Sequence, residues 1–248
     1  MGIENRVALI TGSASGMGKQ TARRMAENGA KVVINDIQAD KVAETVEAFK
    51  KDGFDVIGQV ANIADKAAVE AMVENCVKAF GRLDILVNNA GMERAGALRK
   101  LSEADWDLTV NVNLKGAFLC SQAAHNHMVA NKHGRIINIV SRAWLGGAGQ
   151  APYSSAKAGL VALSRVLALE LGGKGITSNC IAPGLIHTPM WDELEEKSKI
   201  FLLSKQPTGS LGTIDDIAEA AMFLADDESS YFTGQVLYVC GGRSLFSG

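Results

Sequence analysis

The sequence predicts an α/β fold: a single Rossmann-type, doubly wound parallel sheet with helices on both faces. Short apolar runs alternate along the chain with longer amphipathic segments, and this alternation indicates βαβ units. The short runs are apolar throughout, which is typical of strands buried on both faces. Right-handed crossovers make such a sheet doubly wound, and its ligands bind at the carboxyl ends of the strands.

The individual elements follow from the same patterns. Strands are expected at residues 7–11, 32–35, 54–60, 83–87, 135–140, 177–181 and 236–239. Helices are expected at residues 16–28, 41–51, 66–80, 102–129, 153–171, 191–203 and 215–224. Gly29 supplies a stop signal after the first helix, and Ser102 supplies a start signal for the fourth. No linker, repeat or change of composition interrupts this order, so residues 1–248 are expected to form a single domain.

Composition argues against several classes of function. The chain has 25 Lys and Arg residues against 27 Asp and Glu residues, whereas nucleic acids and anionic membranes require a concentrated positive face. No apolar run approaches the ~20 residues of a membrane span. The apolar run near the N-terminus is too short for a signal peptide. We therefore expect a cytoplasmic protein with no nucleic-acid and no membrane partner.

The cysteines and histidines form no ligand pattern. The cysteines are far apart, at positions 76, 120, 180 and 240, and none belongs to a CxxC or Cys/His cluster. In a reducing cytosol such residues are expected to be free thiols that pack as small hydrophobic side chains. No metal site is expected.

A glycine-rich segment follows the first predicted strand. Gly12, Gly16 and Gly18 give the spacing Gly-x-x-x-Gly-x-Gly between a strand and a helix. Glycines at this position let the backbone approach a diphosphate, and the N-terminus of the helix attracts its charge. The spacing differs from the general Gly-x-Gly-x-x-Gly fingerprint, but the flanking strand and helix disfavour a merely tight turn.

An acidic residue indicates which dinucleotide binds. Asp36 ends the second strand, about 20 residues beyond the glycines, where a carboxylate binds a ribose 2′-hydroxyl. A carboxylate repels a 2′-phosphate, and Ser15, Asn35 and Ile37 supply no cation to offset it. NAD is therefore favoured over NADP as the cofactor. The alternative is a helix cap or a solvated carboxylate.

Three polar residues are candidates for acid–base chemistry. Tyr153 and Lys157 are four residues apart on one predicted helix and share a face. A phenol has a pKa near 10, and a nearby ammonium or nicotinamide cation favours the phenolate. Ser141 follows the fifth strand and could hold a substrate oxygen. Most Tyr/Lys pairs are surface contacts, and most serines after strands are turn residues. A Gly-x-Ser-x-Gly elbow, which would indicate a hydrolase, is absent.

Read together, these segments resemble the short-chain dehydrogenase/reductase family, and the resemblance covers essentially the whole chain. The matching motifs are Thr11–Gly18, Asn88-Asn89-Ala90-Gly91, Asn113 in Val112-Asn113-Leu114, Ser141, Tyr153-x-x-x-Lys157, and Pro183-Gly184 with Thr188. Asn111 is the weaker counterpart of the family's asparagine.

The resemblance implies a role for each catalytic residue. Tyr153 takes the alcohol proton while a hydride passes to the nicotinamide. Lys157 holds the ribose hydroxyls and lowers the pKa of Tyr153. Ser141 fixes the reacting oxygen, and Asn113 holds a water that links Lys157 to solvent. These roles agree with a positioned acid–base group beside a redox cofactor.

The resemblance also implies a set of NAD-binding residues. They are Gly12, Ser15, Gly16, Met17, Gly18, Asp36, Ile37, Asn62, Ile63, Asn89, Ala90, Gly91, Tyr153, Lys157, Pro183, Gly184, Ile186 and Thr188. Residues 188–210 are expected to form a mobile segment that covers the substrate. The chain departs from the family pattern in three places: Asn62 replaces an aspartate, Cys240 precedes Gly241-Gly242, and Arg142 follows Ser141.

The third departure suggests the kind of substrate. A cation at Arg142, beside the reacting centre, suits a substrate with a free carboxylate. Arg94 follows the Asn-Asn-Ala-Gly motif and could meet the phosphates of coenzyme A, which would make the substrate a CoA thioester. Trp144 and Trp191 could surround an aromatic ring. The alternatives are solvated cations for the arginines, and core or oligomer contacts for the tryptophans.

Three functions remain open on the sequence. The leading one is an NAD-dependent secondary-alcohol dehydrogenase that acts on a CoA thioester. A β-ketoacyl thioester reductase, or a steroid or polyol dehydrogenase, would use the same chemistry. A non-catalytic dinucleotide-binding subunit is disfavoured because the catalytic set is complete. The family assembles through the helices at 102–129 and 153–171, so the chain is expected in a homotetramer or in a heterotetramer with a related companion subunit.

Overall fold

A computed structural model describes residues 2–187, 189–192 and 195–245. At positions 189 and 190 it describes the backbone alone. Within these residues one parallel sheet of seven strands has the order β3-β2-β1-β4-β5-β6-β7. The strands are β1 (Val7–Ile10), β2 (Lys31–Asp36), β3 (Val56–Val60), β4 (Ile85–Asn88), β5 (Gly134–Ile139), β6 (Ile176–Pro183) and β7 (Val236–Val239). The predicted doubly wound α/β fold is confirmed.

Helices connect the strands and cover both faces of the sheet. They are α1 (Gly16–Glu27), α2 (Ala39–Lys51), α3 (Lys66–Phe80), α4 (Glu103–Val110), α5 (Gly116–Asn131), α6 (Ala151–Leu171), α7 (Pro189–Asp192), α8 (Glu196–Leu203) and α9 (Ile214–Ala225). Local chemistry fixes several ends. The Asp65 side chain accepts from the first turn of α3, and Thr213 and Asp216 form a capping box on α9.

The helical stretch predicted over 102–129 is confirmed within residues 103–131, but it is not a regular α-helix throughout. A π-helical turn, Asn111–Lys115, separates α4 from α5. The amide of Asn113 donates to the Thr109 carbonyl at 2.9 Å, and such a side-chain bond competes with the regular helical pattern. The single helix expected at 191–203 is instead two short helices, α7 and α8.

The core has a layer on each face of the sheet. On one face Met25, Phe49 and Met222 pack from α1, α2 and α9. On the other face Met72 and Met128 pack from α3 and α5. Strands β1 and β4 lie at the centre and are buried along their whole length, whereas β3 and β7 are partly exposed at the edges. The strand order reverses between β1 and β4, which opens a crevice at their carboxyl ends.

Three further properties concern only the described residues. None of their helices is both long enough and apolar enough to cross a membrane. They contain no group of three or more His, Cys, Asp or Glu side chains arranged to hold a metal ion. All four cysteines are buried free thiols.

Candidate active site

The crevice beside β1 and β4 holds a cavity of about 400 Å³. Eleven of the residues expected to bind NAD line it: Gly12, Ser15, Met17, Gly18, Asp36, Ile37, Asn62, Ile63, Asn89, Ala90 and Gly91. Five lining residues were not expected from the sequence, and they are Asn35, Gln38, Ala61, Met92 and Val112. Each of the five is a neighbour in sequence of an expected residue or motif, so proximity in sequence is the signal that could have identified them.

The glycine-rich turn needs its glycines for close packing. Gly12 has φ +61°, and a Cβ there would lie 2.8 Å from the Cα of Ala90. A Cβ on Gly18 would lie 2.4 Å from Nδ2 of Asn89. The first turn of α1 contains no acidic residue. Met17 and Gly18 of this turn line the cavity, and the N-terminus of a helix is suited to a phosphate.

The Asn-Asn-Ala-Gly motif holds this turn in place. Nδ2 of Asn89 donates to the carbonyls of Thr11 and Gly12 at 2.9 and 3.1 Å. The Thr11 hydroxyl accepts from the N–H groups of Asn89 and Ala90, both at 3.0 Å. The loop after β4 thus fixes the loop after β1, and both line the same cavity.

The far end of the cavity contains Asp36. Its Oδ1 accepts from the N–H of Gln38 at 3.2 Å, and the residue is half-buried. Among the described residues that line the cavity there is no lysine or arginine. Asn62 Oδ1 accepts from the N–H of Ala64 at 3.0 Å, and a carbonyl oxygen can accept a second bond.

Lys157 is buried at the carboxyl end of β5. Its Nζ donates to the carbonyl of Ile139 at 2.8 Å and lies 5.6 Å from the centre of the Tyr153 ring. Burial lowers the pKa of Lys157 to about 8. This contact was not expected from the sequence, because it joins α6 to the backbone of β5.

Tyr153 lies between a hydroxyl and a carboxylate. Burial raises the pKa of Tyr153, the hydrogen bond with Ser141 lowers it, and the charge of Glu93 raises it, with a net increase. Ser141 Oγ also accepts from the N–H of Ala143 at 3.1 Å. Ser141, Tyr153 and Lys157 therefore lie close together. The sum of the effects on Tyr153 is a raised pKa.

Asn113 faces Lys157 across Gly91. In the π-helical turn, Nδ2 of Asn113 donates to the carbonyl of Met92 at 2.6 Å, while its Oδ1 is buried and has no hydrogen-bond partner among the described residues. A Cβ on Gly91 would lie 2.7 Å from this Oδ1 and 3.4 Å from Nζ of Lys157. The space that Gly91 leaves beside an unpaired acceptor and an ammonium suits a cofactor or a water.

The turn after β6 lies next to the turn after β7. Pro183 ends β6, and the N–H of Gly184 donates to the carbonyl of Val239 at 2.9 Å. Ile186 forms a β-bridge with Gly212. The other described residues expected to bind NAD do not line the cavity, and they are Gly16, Tyr153, Lys157, Pro183, Gly184 and Ile186. Thr188 lies outside the described residues.

The four candidate substrate residues are in different surroundings. Arg142 begins a 3₁₀ turn, Arg142–Leu145, directly after Ser141. Trp144 of that turn stacks on Tyr238, with ring centres 6.5 Å apart. Arg94 is more than half exposed and lies 3.8 Å from a carboxylate oxygen of Asp105. Trp191 is half-buried in α7.

Glu93 is a residue of this region that sequence reasoning missed. Its carboxylate accepts from Nε2 of Gln150 at 2.7 Å. The N–H of Gly96 donates to the carbonyl of Gly149 at 2.8 Å. These two bonds join the loop after β4 to the loop after β5 beside Tyr153. The position of Glu93, two residues after the Asn-Asn-Ala-Gly motif, is the signal that could have identified it.

The family described as enoyl-(acyl carrier protein) reductase matches residues 12–244. The chain belongs to the short-chain dehydrogenase/reductase family. It is therefore an oxidoreductase by family, as the motifs predicted. A similar solved structure is a gluconate 5-dehydrogenase from Burkholderia cenocepacia in complex with NADP and tartrate. The two are 36% identical with a TM-score of 0.94, and the match covers 99% of this chain and 98% of the other.

The curated relatives include one of high identity. The (2S)-[(R)-hydroxy(phenyl)methyl]succinyl-CoA dehydrogenase subunit BbsD of Thauera aromatica is 73% identical over 248 residues, the full length of both chains. Residues 93–101, 141–147 and 239–245 by themselves resemble the catalytic subunit of such a dehydrogenase, and the comparison confirms that resemblance. The 3-oxoacyl-[acyl-carrier-protein] reductase FabG of Thermotoga maritima is 40% identical, over 98% of this chain and 99% of its own.

Proposed function

We propose that this chain is an NAD-dependent dehydrogenase that oxidises the secondary alcohol of 2-[hydroxy(phenyl)methyl]succinyl-CoA to the ketone of benzoylsuccinyl-CoA. The observation that carries this proposal is the 73% identity, over the full length of both chains, to a subunit named for that substrate. The reaction would belong to the β-oxidation of benzylsuccinate in anaerobic toluene breakdown.

In the proposed mechanism Tyr153 is the general base. The Ser141 hydroxyl binds the alcohol oxygen of the substrate, and the phenolate of Tyr153 takes its proton. NAD, when bound, accepts the hydride. The contact between Ser141 and Tyr153 supports these roles, since both hydroxyls can reach one oxygen atom.

Lys157 and Asn113 act on the charge and the proton of Tyr153. The Lys157 ammonium favours the phenolate and holds the ribose hydroxyls. Oδ1 of Asn113 would hold a water between Lys157 and solvent, so that the proton leaves the site. The space beside Gly91 and the unpaired oxygen of Asn113 support this relay.

We propose NAD rather than NADP as the cofactor. The Asp36 carboxylate would accept from the ribose hydroxyls and repel a 2′-phosphate. The absence of lysine and arginine from the described lining of the cavity supports this preference. The glycines at 12 and 18, where a Cβ would clash with Ala90 and Asn89, let the turn that would bind the diphosphate pack against the loop after β4.

For the substrate, Arg142 would bind the free carboxylate, and Arg94 would bind phosphates of coenzyme A. Trp144 and Trp191 would contact the phenyl ring. Trp144 stacks on Tyr238 and belongs to the same 3₁₀ turn as Arg142. The indole would therefore line the substrate pocket beside Arg142. Arg94 would have to leave Asp105 to reach a phosphate.

The proposal includes an oligomer of short-chain dehydrogenase subunits in the cytoplasm, where a reducing environment keeps the cysteines as free thiols. The relative's name contains the word subunit, which supports a heterotetramer with a related companion subunit over a homotetramer.

The first test is NADH formation from NAD and 2-[hydroxy(phenyl)methyl]succinyl-CoA by the purified chain. We expect turnover, and we expect the Tyr153→Phe variant to lose about 10²- to 10⁴-fold in kcat while it still binds NAD. The assay is repeated with the companion subunit present. No turnover in either assay, with NAD binding intact, would contradict the assigned substrate.

A second candidate substrate class is another 3-hydroxyacyl thioester. Relatives named 3-oxoacyl-[acyl-carrier-protein] reductase, at 40% identity, favour it. The same assay with 3-hydroxybutanoyl-CoA distinguishes the two, because that compound lacks both the phenyl ring and the second carboxylate.

A further inference from the structure

Two arginines lie together at the carboxyl edge of the sheet. Arg142 follows β5, and Arg243 lies in the 3₁₀ turn Arg243–Leu245 that follows β7. Strands β5, β6 and β7 are neighbours, so the turns after them meet. Trp144 on the first turn stacks against Tyr238 of β7. A Cβ on Gly184, after β6, would lie 2.6 Å from the Cα of Cys240.

Among the described residues no carboxylate pairs with either arginine. Both side chains are partly buried. Burial lowers the pKa of Arg243, the charge of Arg142 lowers it further, and Cys240 opposes them. Partial burial of two like charges is unfavourable unless an anion joins them.

Arg243 also contacts the segment expected to cover the substrate. Its Nη1 donates to the carbonyl of Leu202 in α8 at 3.0 Å. This bond uses one of the five donors of the guanidinium and leaves a fork available for a carboxylate. Arg243 therefore links the turn after β7, next to the turn that follows Ser141, to α8.

We propose that Arg142 and Arg243 together bind the free carboxylate of the substrate, and that Arg243 is a specificity-determining residue for acyl-CoA thioesters with a second carboxylate. This proposal rests on the proposed function, whose substrate has such a group. Arg142 would approach the carboxylate from the side of Ser141, and Arg243 from the side of α8.

The test uses two ligands that lack the reacting hydroxyl and differ by one carboxymethyl group. Benzylsuccinyl-CoA has the carboxylate and 3-phenylpropanoyl-CoA does not. We would measure both dissociation constants by calorimetry with the enzyme saturated in NADH at constant ionic strength. We expect the wild type to bind benzylsuccinyl-CoA about 10- to 100-fold more tightly, the range of a charge-assisted contact.

The Arg243→Gln variant is expected to lose about tenfold of this preference. Arg243→Lys should retain part of it, because the positive charge remains. Arg165→Gln, which removes an exposed arginine of α6, is the matched control and should leave the preference unchanged. An unchanged preference in Arg243→Gln would overturn the proposal. An equal loss of affinity for both ligands would also overturn the proposal, because Arg243 would then act only by positioning α8.

Turnover by the wild type separates this proposal from the proposed function. If the wild type oxidises the hydroxylated substrate but Arg243→Gln keeps its ligand preference, only the role of Arg243 is wrong. If the wild type shows neither turnover nor any preference for the carboxylate ligand, the assigned substrate and the arginine pair are both wrong. A preference that Arg243→Gln reduces supports the pair even without turnover.

Discussion

At the scale of single residues, the reactivity of Tyr153 depends on a balance that the sequence motif does not contain. Burial and the charge of Glu93 raise its pKa, and the Ser141 hydroxyl opposes them. Because the proposed base is the phenolate, the rate of alcohol oxidation should rise with pH as Tyr153 loses its proton. A substitution that changes only the charge near Tyr153 should therefore shift the pH profile of the rate without abolishing activity.

Glu93→Gln makes that change. The amide can still accept from Gln150, so the bond between the two loops remains possible, but the negative charge is lost. We expect the pKa of Tyr153 to fall and the profile of kcat for oxidation to move to lower pH. The measurement is kcat between pH 6 and 10 with saturating NAD and substrate. Glu47→Gln, an exposed position on α2, is the control, and a profile that moves equally in both variants would contradict the explanation.

Asp36 provides a second prediction at this scale. Asp36→Ala removes the carboxylate that we expect to accept from the ribose hydroxyls. We expect NAD to bind about tenfold more weakly, the effect of one charge-assisted hydrogen bond, and NADP to bind relatively better as repulsion disappears. Titration with NADH and NADPH by fluorescence gives both constants. Asp40→Ala, an exposed acid in the first turn of α2, should change neither, and an unaltered ratio in Asp36→Ala would contradict this role.

At the scale of elements, the turn between β1 and α1 is held by sterics that can be tested. A Cβ on Gly18 would lie 2.5 Å from the carbonyl oxygen of Gly12 and closer still to Asn89. We expect Gly18→Ala to destabilise the fold by about 1–3 kcal/mol through overpacking and to weaken NAD binding. Urea unfolding and NADH titration measure the two effects.

Gly172→Ala is the matched control for this prediction. Gly172 has φ −56° and ψ −44°, and a Cβ there meets nothing within 4 Å. Its substitution should be neutral or should stabilise by about 0.4–1 kcal/mol, because it restricts the unfolded chain. Equal losses in both variants would mean that the clash at Gly18 is relieved.

At the scale of the whole molecule, the parts that sequence could predict are those specified locally. Gly12 and Gly18 could be predicted because the turn itself requires glycine. Tyr153 and Lys157 could be predicted because their helical spacing places them on one face. The π-helical turn at Asn113 was not readable from helical periodicity, which does not show that Asn113 donates both to the nearby Thr109 carbonyl and to the carbonyl of Met92, distant in sequence. Arg243 was missed for the same reason, because only the order of the strands brings it near Arg142.

A network of contacts between residues distant in sequence lies at the amino-terminal ends of the central strands. Asp84 is fully buried, and its Oδ2 accepts from the N–H of Val7 at 3.0 Å and from Nε of Arg82 at 2.7 Å. His133 lies 3.5 Å from Asp84 and 2.8 Å from Asp227. The network therefore ties β1 and the segments before β4 and β5 to the turn after α9, far from the catalytic residues.

Asp84→Asn should consequently affect stability and leave chemistry unchanged. Burial alone would raise the pKa of Asp84, but the proximity of His133 and the bonds from Arg82 and Val7 outweigh it and lower the pKa. A carboxyl whose pKa is lowered by folding stabilises the fold above its unfolded pKa, near 3.9, and this contribution disappears as pH falls through the lower, folded value. The variant removes the charged acceptor of the bonds from Arg82 and Val7 but leaves unpaired an arginine that is partly exposed, so we expect a loss of about 1–3 kcal/mol at pH 7.

Urea unfolding at pH 7 and at pH values down to 3 measures this loss. The difference in stability between wild type and Asp84→Asn should be largest at pH 7 and should shrink in acid, because the wild type then loses the same interaction. Asp55→Asn, at an exposed carboxylate, is the control, and kcat per folded enzyme should match the wild type in both variants. A difference that stays constant with pH would contradict a charge-based role for Asp84, and a fall in kcat would mean that this edge of the sheet is coupled to the active site.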